Sequence, residues 1–428
     1  RDQAMNILMM TNTFAPHVGG VARSVEAFSN EYRKRGHRVL IVAPEFENTP
    51  KHETNVIRVH AIQHFNGSDF SVALPSPAHL TAAVKEFGPE IVHSHHPFLI
   101  GTTALRIAHT YGIPLVFTHH TKYEQYTHYV PGDSAALKRF VIRLSTNYAN
   151  LCNQVFAPSE SIAEVIGERG VHVPVDVVPT GVKLEQYSHL DGSAFRRSVD
   201  IPDDAFVVGH VGRLAAEKNL EFLTDTIVTF LKAEPHAHFL LVGEGPMETT
   251  IRSRLASEGL GDRLYATGIL TSSRLRNAYA AMDVFAFASK SETQGMVLTE
   301  AMAAAVPVVA IDAAGVREVV RDRQNGRLLH TDNVEKFALA LRWLASMSHM
   351  DASRLKSAAR KTAEAFSMER SAGKAVNIYT RLRERGAVNR HCDYHVWTNA
   401  LHVIEAEWGM LKGVANAAAA AIGTDPGI

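Results

Sequence analysis

The sequence predicts an α/β protein with two doubly wound, Rossmann-like domains that face each other across a cleft, followed by a helical C-terminal extension. Short apolar runs alternate with helical patterns over residues 5–157, and a second series of the same kind covers residues 206–311. A strand, a helix and a strand within about 40 residues form a βαβ unit, whose strands are parallel. From residue 334 onward the pattern is mostly helical. In domains of this kind, ligands bind at the carboxyl ends of the strands.

The first series opens with an apolar run, residues 5–11, which a loop rich in turn-forming residues ends. We expect a buried strand there. A helical pattern follows over residues 21–35, with Gly36 just after it and a basic last turn, as the helix dipole favours. Residues 38–43 are a second apolar run. The same pattern predicts further strands at 90–93, 114–118 and 154–157 and helices at 101–111 and 133–150.

The second series predicts a sheet of its own. Its strands are expected at 206–211, 238–242, 263–266, 284–288 and 308–311, and its helices at 220–232, 247–257, 272–281 and 296–304. The polar residues 183–204 predict a linker between the two series. We therefore expect one domain over residues 1–182 and a second over 183–366. Helices over 367–428 should cross back to the first domain and carry an extra tail, which could pack there, mediate oligomers or touch a membrane.

Composition excludes several classes of protein. The 428 residues are 46% hydrophobic and 21% charged, with 44 basic and 44 acidic side chains. This balance argues against a mostly disordered chain and gives no general attraction to nucleic acid. Cys152 and Cys392 cannot by themselves make a disulfide framework or a zinc module. The longest apolar run, residues 301–311, is shorter than the roughly 20 residues that span a bilayer, and no apolar leader begins the chain. We expect a cytoplasmic protein that can act at the inner face of the membrane.

One loop and the helix after it carry the most informative pattern. A predicted strand ends at residue 288, Glu292 lies in the polar loop that follows, and Gly295 opens a helix that contains Glu300. The first amides of that helix would be free donors suited to a diphosphate, and they belong to Gly295, Met296, Val297 and Leu298. The two carboxylates would bracket a ligand and accept hydrogen bonds from its hydroxyls, which fits a nucleotide sugar. The alternative is that Glu292 is a solvated loop residue and Glu300 a surface helix residue.

Two further loops could contact an anion. Arg213 and Lys218 follow a predicted strand, so they could neutralise a diphosphate leaving group in the cleft. The alternative is a pair of solvated rim charges, which contribute little. Gly19 and Gly20 stand before the first helix, where glycine lets the backbone approach an anion. The alternative for these glycines is an ordinary flexible loop.

The combination of these motifs resembles a known family. Gly212-Arg-Leu-x-x-Glu-Lys-Asn219 together with Glu292-x7-Glu300 is similar to the donor site of retaining glycosyltransferases of the GT-B fold, in family four. The resemblance covers roughly residues 5–385. Three shorter segments support it in the right order, namely Gly19-Gly20, Thr180-Gly181-Val182 and Val242-Gly-Glu-Gly-Pro246.

The resemblance implies a role for each matching residue. Arg213 and Lys218 would hold the diphosphate, Glu292 the sugar hydroxyls and Glu300 the ribose. The donor-binding set that it implies also includes Gly19, Gly20, Glu244, Gly268 and the residues from Gly295 to Leu298. Family members usually have an aromatic-glycine pair after the first glutamate. This chain has Thr293-Gln294-Gly295 instead, which resembles the subgroup of diacylglycerol glucosyltransferases.

Histidines cluster after two predicted strands of the first domain, as His93, His95 and His96 and then as His119 and His120. Imidazoles suit zinc, but no cysteine is near and the spacing is not that of a zinc finger, so we expect no metal. Packed, hydrogen-bonded histidines are the common alternative. The resemblance assigns His120 to the catalytic set, in contact with the transferred sugar, together with Arg213, Lys218 and Glu292. It places His95 on the acceptor side.

Two features bear on the acceptor, which the resemblance places on the domain of residues 1–182. Tyr123 and Tyr126 have helix-like spacing and could line an acceptor channel or belong to the core. A basic stripe of Lys138, Arg139 and Arg143 beside apolar residues suits an anionic membrane surface. The alternative for this stripe is an ordinary amphipathic helix that packs on its own domain.

The predicted activity is the transfer of a hexosyl group to a hydroxyl acceptor with retention at the anomeric carbon. We expect glucosyl transfer from UDP-glucose to a diacylglycerol-type lipid, with a soluble sugar or small alcohol as the alternative acceptor. No cofactor or metal is required in this scheme, because side chains and helix dipoles neutralise the leaving group. A nucleotide-sugar epimerase or hydrolase would share the two-domain cleft without an acceptor pocket. A dinucleotide-binding module is disfavoured, because no G-x-G-x-x-G follows the first strand.

Overall fold

The computed structural model describes residues 3–16, 19–46, 48–50, 52–59, 61–62, 72–73, 78–120 and 135–386. The described chain forms two compact units. The first contains the described residues up to Ala157, Ala163–Val177 and residues 375–386, and the second contains Pro158–Ile162 and Val178–Lys374. Tyr123, Tyr126 and the tail 387–428 lie outside the described residues.

The first unit is built on a parallel sheet of seven strands, as its apolar runs predict. In chain order the strands of this unit are β1 (Asn6–Met10), β2 (Arg38–Pro44), β3 (Val56–Val59), β4 (Ala61–Ile62), β5 (Val72–Ala73), β6 (Ile91–Ser94), β7 (Leu115–Thr118), β8 (Gln154–Ala157) and β9 (Val175–Val177). The sheet order is β3-β2-β1-β6-β7-β8-β9, and Ile7 pairs with both Val39 and Ile91. Strands β4 and β5 form a separate antiparallel pair. The central strands are buried, which explains why they are continuous apolar runs rather than alternating ones.

Helices connect these strands. They are α1 (Gly20–Lys34), α2 (Ala78–Phe87), α3 (Ile100–Tyr111), α4 (Ala135–Leu151) and α5 (Glu160–Glu168), which begins in the second unit. Helix α1 ends in a basic turn before Gly36, whose φ of +89° terminates it, as the sequence predicts. Helix α3 packs tightly on the loop after β6, because a Cβ on Gly101 would lie 2.0 Å from the His96 carbonyl oxygen. This contact fixes the backbone of the histidine-rich loop.

The second unit contains a parallel sheet of six strands in the order β12-β11-β10-β13-β14-β15. Its strands are β10 (Phe206–Val211), β11 (Ala237–Val242), β12 (Leu264–Ala266), β13 (Val284–Phe287), β14 (Val308–Ile311) and β15 (Gly326–Leu329). Its helices are α6 (Gly192–Ser198), α7 (Leu220–Ala233), α8 (Glu248–Ser257), α9 (Ser272–Ala280), α10 (Met296–Ala303), α11 (Val334–Ala345), α12 (His349–Ala365) and α13 (Met368–Arg385), which runs on into the first unit. Two apolar layers cover the faces of this sheet.

Residues 183–204 belong to the second unit and are folded, so their prediction as a polar linker is wrong. They contain α6, whose Phe195 side chain is buried. The Arg196 guanidinium donates to the Ala281 carbonyl oxygen at 2.9 Å and to the Asp283 carboxylate at 2.9 Å. These contacts give a polar sequence a defined structure, because each buried donor has an acceptor.

Both sheets have a point where the strand order reverses. It lies between β1 and β6 in the first unit and between β10 and β13 in the second. At such a point the loops leave neighbouring strands in opposite directions and open a crevice for ligands. The loops after these four strands carry most of the residues that the sequence singles out. Among the described residues, none of the helices combines the length and the apolar character that a bilayer span needs.

Candidate functional site

The reversal point of the second sheet brings Lys218 and Glu292 together. Lys218 ends a short 3-10 turn after β10, and Asn219, with φ of +56°, starts α7. The Lys218 Nζ lies 2.6 Å from Glu292 Oε1, and the two side chains are 24% and 17% exposed. The alternative interpretations supposed that Lys218 and Glu292 are separate, solvated side chains. This contact and the partial burial of both side chains contradict them. A cation and a carboxylate meet at the carboxyl edge of the sheet.

The Glu292 carboxylate is oriented by a second donor, which the sequence analysis missed. The Ser289 hydroxyl, fully buried, donates to Glu292 Oε1 at 2.9 Å. Both bonds go to Oε1, and within the part of the chain that the structure describes Oε2 has no partner. One oxygen thus holds the side chain in place and the other can accept a hydrogen bond from a ligand hydroxyl.

Helix α10 presents its N-terminus in the same loop. Gly295 caps the helix in the left-handed region, with φ of +67°, and no side chain caps it. The amides of Gly295, Met296 and Val297 have no acceptor among the described residues, so they can bind an anion at the positive end of the helix. The predicted free amide of Leu298 is wrong, because it donates to the Gly295 carbonyl oxygen at 2.9 Å. The left-handed turn at Gly295 aims that carbonyl back into the first turn.

Glu300 is buried, so its interpretation as a surface helix residue is wrong. Its side chain is 7% exposed, and its Oε2 accepts a hydrogen bond of 2.9 Å from the Tyr279 hydroxyl of α9. A buried carboxylate is costly unless donors satisfy it, and the fully buried Tyr279 supplies one. The bond holds the carboxylate about one turn beyond the start of α10.

Three other predicted donor-binding residues lie in neighbouring loops. Arg213 is exposed, and no hydrogen bond or ion pair joins its guanidinium to another described residue. Glu244 is also exposed, and its carbonyl oxygen accepts from the Leu214 amide at 2.9 Å. The Gly268 carbonyl accepts from the Gly243 amide at 2.9 Å, and a Cβ on Gly268 would lie 3.2 Å from Glu244 Oε1. The loops after β10, β11 and β12 are therefore joined side by side.

His210 is a buried histidine beneath this edge that the sequence analysis did not single out. Its Nδ1 lies 3.0 Å from the Ala286 carbonyl oxygen, so Nδ1 carries the proton and Nε2 is an acceptor. Burial lowers the pKa of His210 to about 4, although the bond to Ala286 acts in the opposite direction. The ring is stacked against Phe285 and Phe287. A histidine within an apolar strand run was the signal that could have identified it.

In the first unit the structure joins the two histidines that the resemblance singles out. His95 Nδ1 lies 2.8 Å from His120 Nε2, so one ring donates to the other. The pKa of each is held well below the usual value by burial first and then by neighbouring histidines. Both imidazoles are therefore neutral at physiological pH, and each can accept or donate a hydrogen bond.

Two other histidines of this cluster, His93 and His96, have packed, hydrogen-bonded positions. His93 contacts the Thr118 hydroxyl at 2.7 Å and the Tyr379 hydroxyl at 2.5 Å, and His96 Nδ1 accepts from the Asn12 amide at 3.0 Å. Across the part of the chain that the structure covers, no group of three or more side chains is arranged to hold a metal ion.

Gly19 and Gly20 lie at the start of α1, at the reversal point of the first sheet. Gly19 has an extended backbone that any residue can adopt, and a Cβ on Gly20 would meet nothing within 4 Å. The fold therefore does not require glycine at position 20, and the backbone conformation does not require it at position 19. Their use as an open approach to an anion stays a prediction.

The chain matches two family models in sequence order. Residues 18–186 match the model described as Glycosyltransferase Family 4, and residues 191–362 match Glycosyl transferases group 1. Alpha-monoglucosyldiacylglycerol synthase of Streptococcus pneumoniae is 26% identical over 335 residues, which are 77% of this chain and 76% of that protein. The enzyme of the same name from Acholeplasma laidlawii is 26% identical over 339 residues, 75% of this chain and 84% of that protein. A GDP-mannose-dependent alpha-mannosyltransferase of Corynebacterium glutamicum is 27% identical over 352 residues, 79% and 80% of the two chains.

Solved structures share the fold of this chain. The structure of Anabaena HepE in complex with UDP superposes with a TM-score of 0.70 at 20% identity and covers 88% of this chain and 100% of its own. Sucrose-phosphate synthase from Thermosynechococcus elongatus gives a TM-score of 0.70 at 20% identity, with 88% and 98% covered.

Proposed function

The chain belongs to the family 4 glycosyltransferases of GT-B fold, and on that premise we propose that it transfers a glucosyl group from UDP-glucose to a diacylglycerol-type lipid with retention at the anomeric carbon. The observation that carries the proposal is the contact of 2.6 Å between Lys218 and Glu292, in the loop that ends at the start of α10. The cation of the loop after β10, together with the three free amides and the carboxylate with one open oxygen of the loop after β13, matches the parts of a nucleoside diphosphate sugar.

In this mechanism the leaving diphosphate is the group that needs stabilisation. Lys218 exchanges Glu292 for a phosphate oxygen, and the amides at the start of α10 bind the same anion. Arg213, which is exposed and unpaired among the described residues, closes on the diphosphate from the loop after β10. Glu292 then accepts hydrogen bonds from sugar hydroxyls, and Glu300 from the ribose. With side chains and a helix dipole in these places, the reaction needs no metal.

Retention follows if the acceptor attacks from the face that the diphosphate leaves. The departing phosphate oxygen then takes the proton of the acceptor hydroxyl, so no separate carboxylate base is needed. His120, held by His95 at 2.8 Å, is proposed to contact the transferred sugar. Its neutral ring can donate to or accept from a sugar hydroxyl.

The names of relatives support the choice of donor and acceptor. Two relatives are monoglucosyldiacylglycerol synthases, which fits a glucosyl donor and a glycolipid product. Mannosyltransferases that depend on GDP-mannose match at 27–28% identity, so GDP-mannose is the second candidate donor. The segment Thr293-Gln294-Gly295 replaces the usual aromatic-glycine pair. It resembles the segment of diacylglycerol glucosyltransferases, which favours the glucosyl donor.

We expect purified protein to form glucosyldiacylglycerol from radiolabelled UDP-glucose and vesicles that contain diacylglycerol and an anionic phospholipid. GDP-mannose and vesicles without diacylglycerol are the matched controls, and NMR of the product should show an α-linkage. EDTA should leave the rate unchanged. Turnover of the donor without any acceptor would instead indicate a hydrolase or epimerase. A product that forms only with glycerol or free sugars would contradict the proposal of a lipid acceptor.

Helix α4 is proposed as the membrane-facing element of the first unit. Lys138, Arg139 and Arg143 are all exposed, and at 100° per residue they share one side of the helix. Phe140 and Leu144 on the same helix are half-buried. A basic stripe beside apolar residues attracts an anionic surface, to which each cation contributes about 1 kcal/mol.

The triple variant Lys138→Gln/Arg139→Gln/Arg143→Gln is expected to bind anionic vesicles about 10- to 100-fold more weakly, because it removes the three cations. Vesicle co-sedimentation measures this partition. The control is Arg323→Gln/Arg354→Gln/Lys361→Gln, which removes three exposed cations from the other unit. Equal loss in both variants would show a general effect of charge and contradict a membrane role for α4.

A further inference from the structure

Gln294 stands in the middle of the Glu292–Gly295 loop, at the position where the family usually has an aromatic residue. Its side chain is 7% exposed. The Thr180 amide donates to Gln294 Oε1 at 2.7 Å, and Gln294 Nε2 donates to the Thr180 carbonyl oxygen at 2.6 Å. This reciprocal pair uses both ends of the side-chain amide and fixes which end is oxygen, because a backbone amide can only donate. An aromatic side chain could not make it.

The Thr180 segment is itself held in place. The Val182 amide donates to the Phe366 carbonyl at 2.9 Å, and the Met368 amide donates to the Val182 carbonyl at 2.9 Å. A Cβ on Gly181 would lie 2.3 Å from the Met368 nitrogen, so the two backbones touch. Gln294 is therefore bonded to a fixed support and not to a mobile loop.

Two other contacts hold the same loop. The Ser159 hydroxyl donates to the Thr293 carbonyl at 2.7 Å. A Cβ on Gly315 would lie 2.7 Å from the Gln294 nitrogen, so the loop backbone rests directly on Gly315. The residues just before and just after this anchored pair are Glu292 and Gly295, which carry the carboxylate and open the amide-lined start of α10.

We propose that Gln294 is a positioning residue of the donor site. Its two bonds to Thr180 set the loop so that Glu292 meets Lys218 and the first amides of α10 face the same anion. Without them, the buried Thr180 amide and carbonyl lose these two bonds, and the loop loses its tie to the Thr180 segment. The consequence is that Gln294 controls the affinity for the nucleoside diphosphate more than the rate of the bound complex. This inference rests on the proposed function for the identity of that ligand.

The test uses Gln294→Met, which keeps the length of the side chain and removes both bonds. We expect the Kd for UDP, measured by calorimetry, and the KM for the donor to rise about 10- to 50-fold, while kcat changes less than about 5-fold. Ser159→Ala removes the single bond from this side chain to the loop, together with a bond of 3.3 Å that the hydroxyl accepts from the Ile162 amide, and should raise both constants about 3- to 10-fold. Gln186→Met is the control, because this exposed glutamine of the same unit only accepts a bond from Arg276 at 3.2 Å. Its constants should stay within 2-fold of the wild type.

The outcomes separate this inference from the proposed function. Wild-type protein that binds UDP while Gln294→Met and Ser159→Ala bind it equally well would overturn the positioning role alone. A large fall in kcat with an unchanged KM would also overturn it. Wild-type protein that binds neither UDP nor GDP would overturn the proposed function and this inference with it. If Gln294→Met does not fold, the UDP affinity of Ser159→Ala decides.

Discussion

Replacing Lys218 with glutamine is expected to lower kcat/KM for the donor by about 100- to 1,000-fold, the effect of removing a fixed charge that stabilises a transition state. The ammonium lies 2.6 Å from Glu292 in a half-buried position, where water screens it less than on an open surface. Charge on the diphosphate grows as the bond to the sugar breaks, and Lys218 is the cation that contacts Glu292 of the loop before α10. Steady-state kinetics with UDP-glucose and a saturating acceptor measure the loss.

The control for this variant is Lys232→Gln. Lys232, on α7 of the same unit, also forms an ion pair, with Glu258 just after α8. Its removal should change kcat/KM less than 2-fold. A similar loss in both variants would mean that ion pairs stabilise the unit in general, and Lys218 would then have no special part in the reaction.

Glu292→Gln distinguishes a donor site from a merely structural ion pair. In the free protein Lys218 and Glu292 neutralise each other, so the glutamine variant releases Lys218 for a phosphate oxygen. We expect Glu292→Gln to keep or strengthen UDP binding while transfer falls, because the sugar loses its carboxylate acceptor. Lys218→Gln should weaken both. A structural ion pair would give two variants with the same loss of stability and no such asymmetry.

Much of the fold could be predicted because parallel strands buried on both faces are continuous apolar runs. Strands β8, β10 and β14 begin and end at the residues that the pattern indicates. The sequence order of the strands then places Lys218 and Glu292 at one edge, since the loops after β10 and β13 flank the reversal of the sheet. The meeting of these two residues therefore follows from topology alone.

The contacts that orient the site could not be predicted, because they join residues far apart in sequence. Gln294 and Thr180 are 114 residues apart, and the sequence analysis noted Gln294 only as a departure from a pattern. Tyr279 lies on another helix from Glu300, and nothing local to either residue indicates their bond. The error at Leu298 has a different source. The general rule that the first amides of a helix lack acceptors predicts a free Leu298 amide. In the structure this amide donates to the carbonyl oxygen of Gly295, the left-handed residue that caps the helix.

Buried histidines should make the first unit sensitive to acid. Burial lowers the pKa of His93 and of His96 to about 3. In the unfolded chain each would titrate near pH 6.5, so below that pH the unfolded state binds more protons than the folded state. The free energy of unfolding is therefore unaffected above about pH 6.5 and falls as the pH drops toward 3, by about 1.4 kcal/mol per pH unit for each histidine.

From pH 7.5 to pH 5.0 these two histidines alone should lower the free energy of unfolding by about 4 kcal/mol. His95 and His120 add to the loss, because their pKa values are lowered in the same direction. Urea unfolding followed by circular dichroism at several pH values measures the slope. The neutral ring of His96 accepts a bond from the Asn12 amide, and His96→Asn keeps an acceptor while it removes the titrating group. Between pH 6 and pH 5, the free energy of unfolding of that variant should therefore fall less steeply than that of the wild type, by about 1.4 kcal/mol per pH unit.

The exposed His349 provides the matched control, and His349→Asn should leave the slope as it is in the wild type. If His96→Asn has the wild-type slope, the buried imidazole is already charged in the folded state. The neutral state of this cluster matters for the reaction as well, since His95 and His120 share their bond of 2.8 Å only while at least one ring nitrogen lacks a proton. Because burial holds the pKa of both rings well below the usual value, this bond should persist until the unit unfolds, and transferase activity should fall together with the folded fraction as the pH drops.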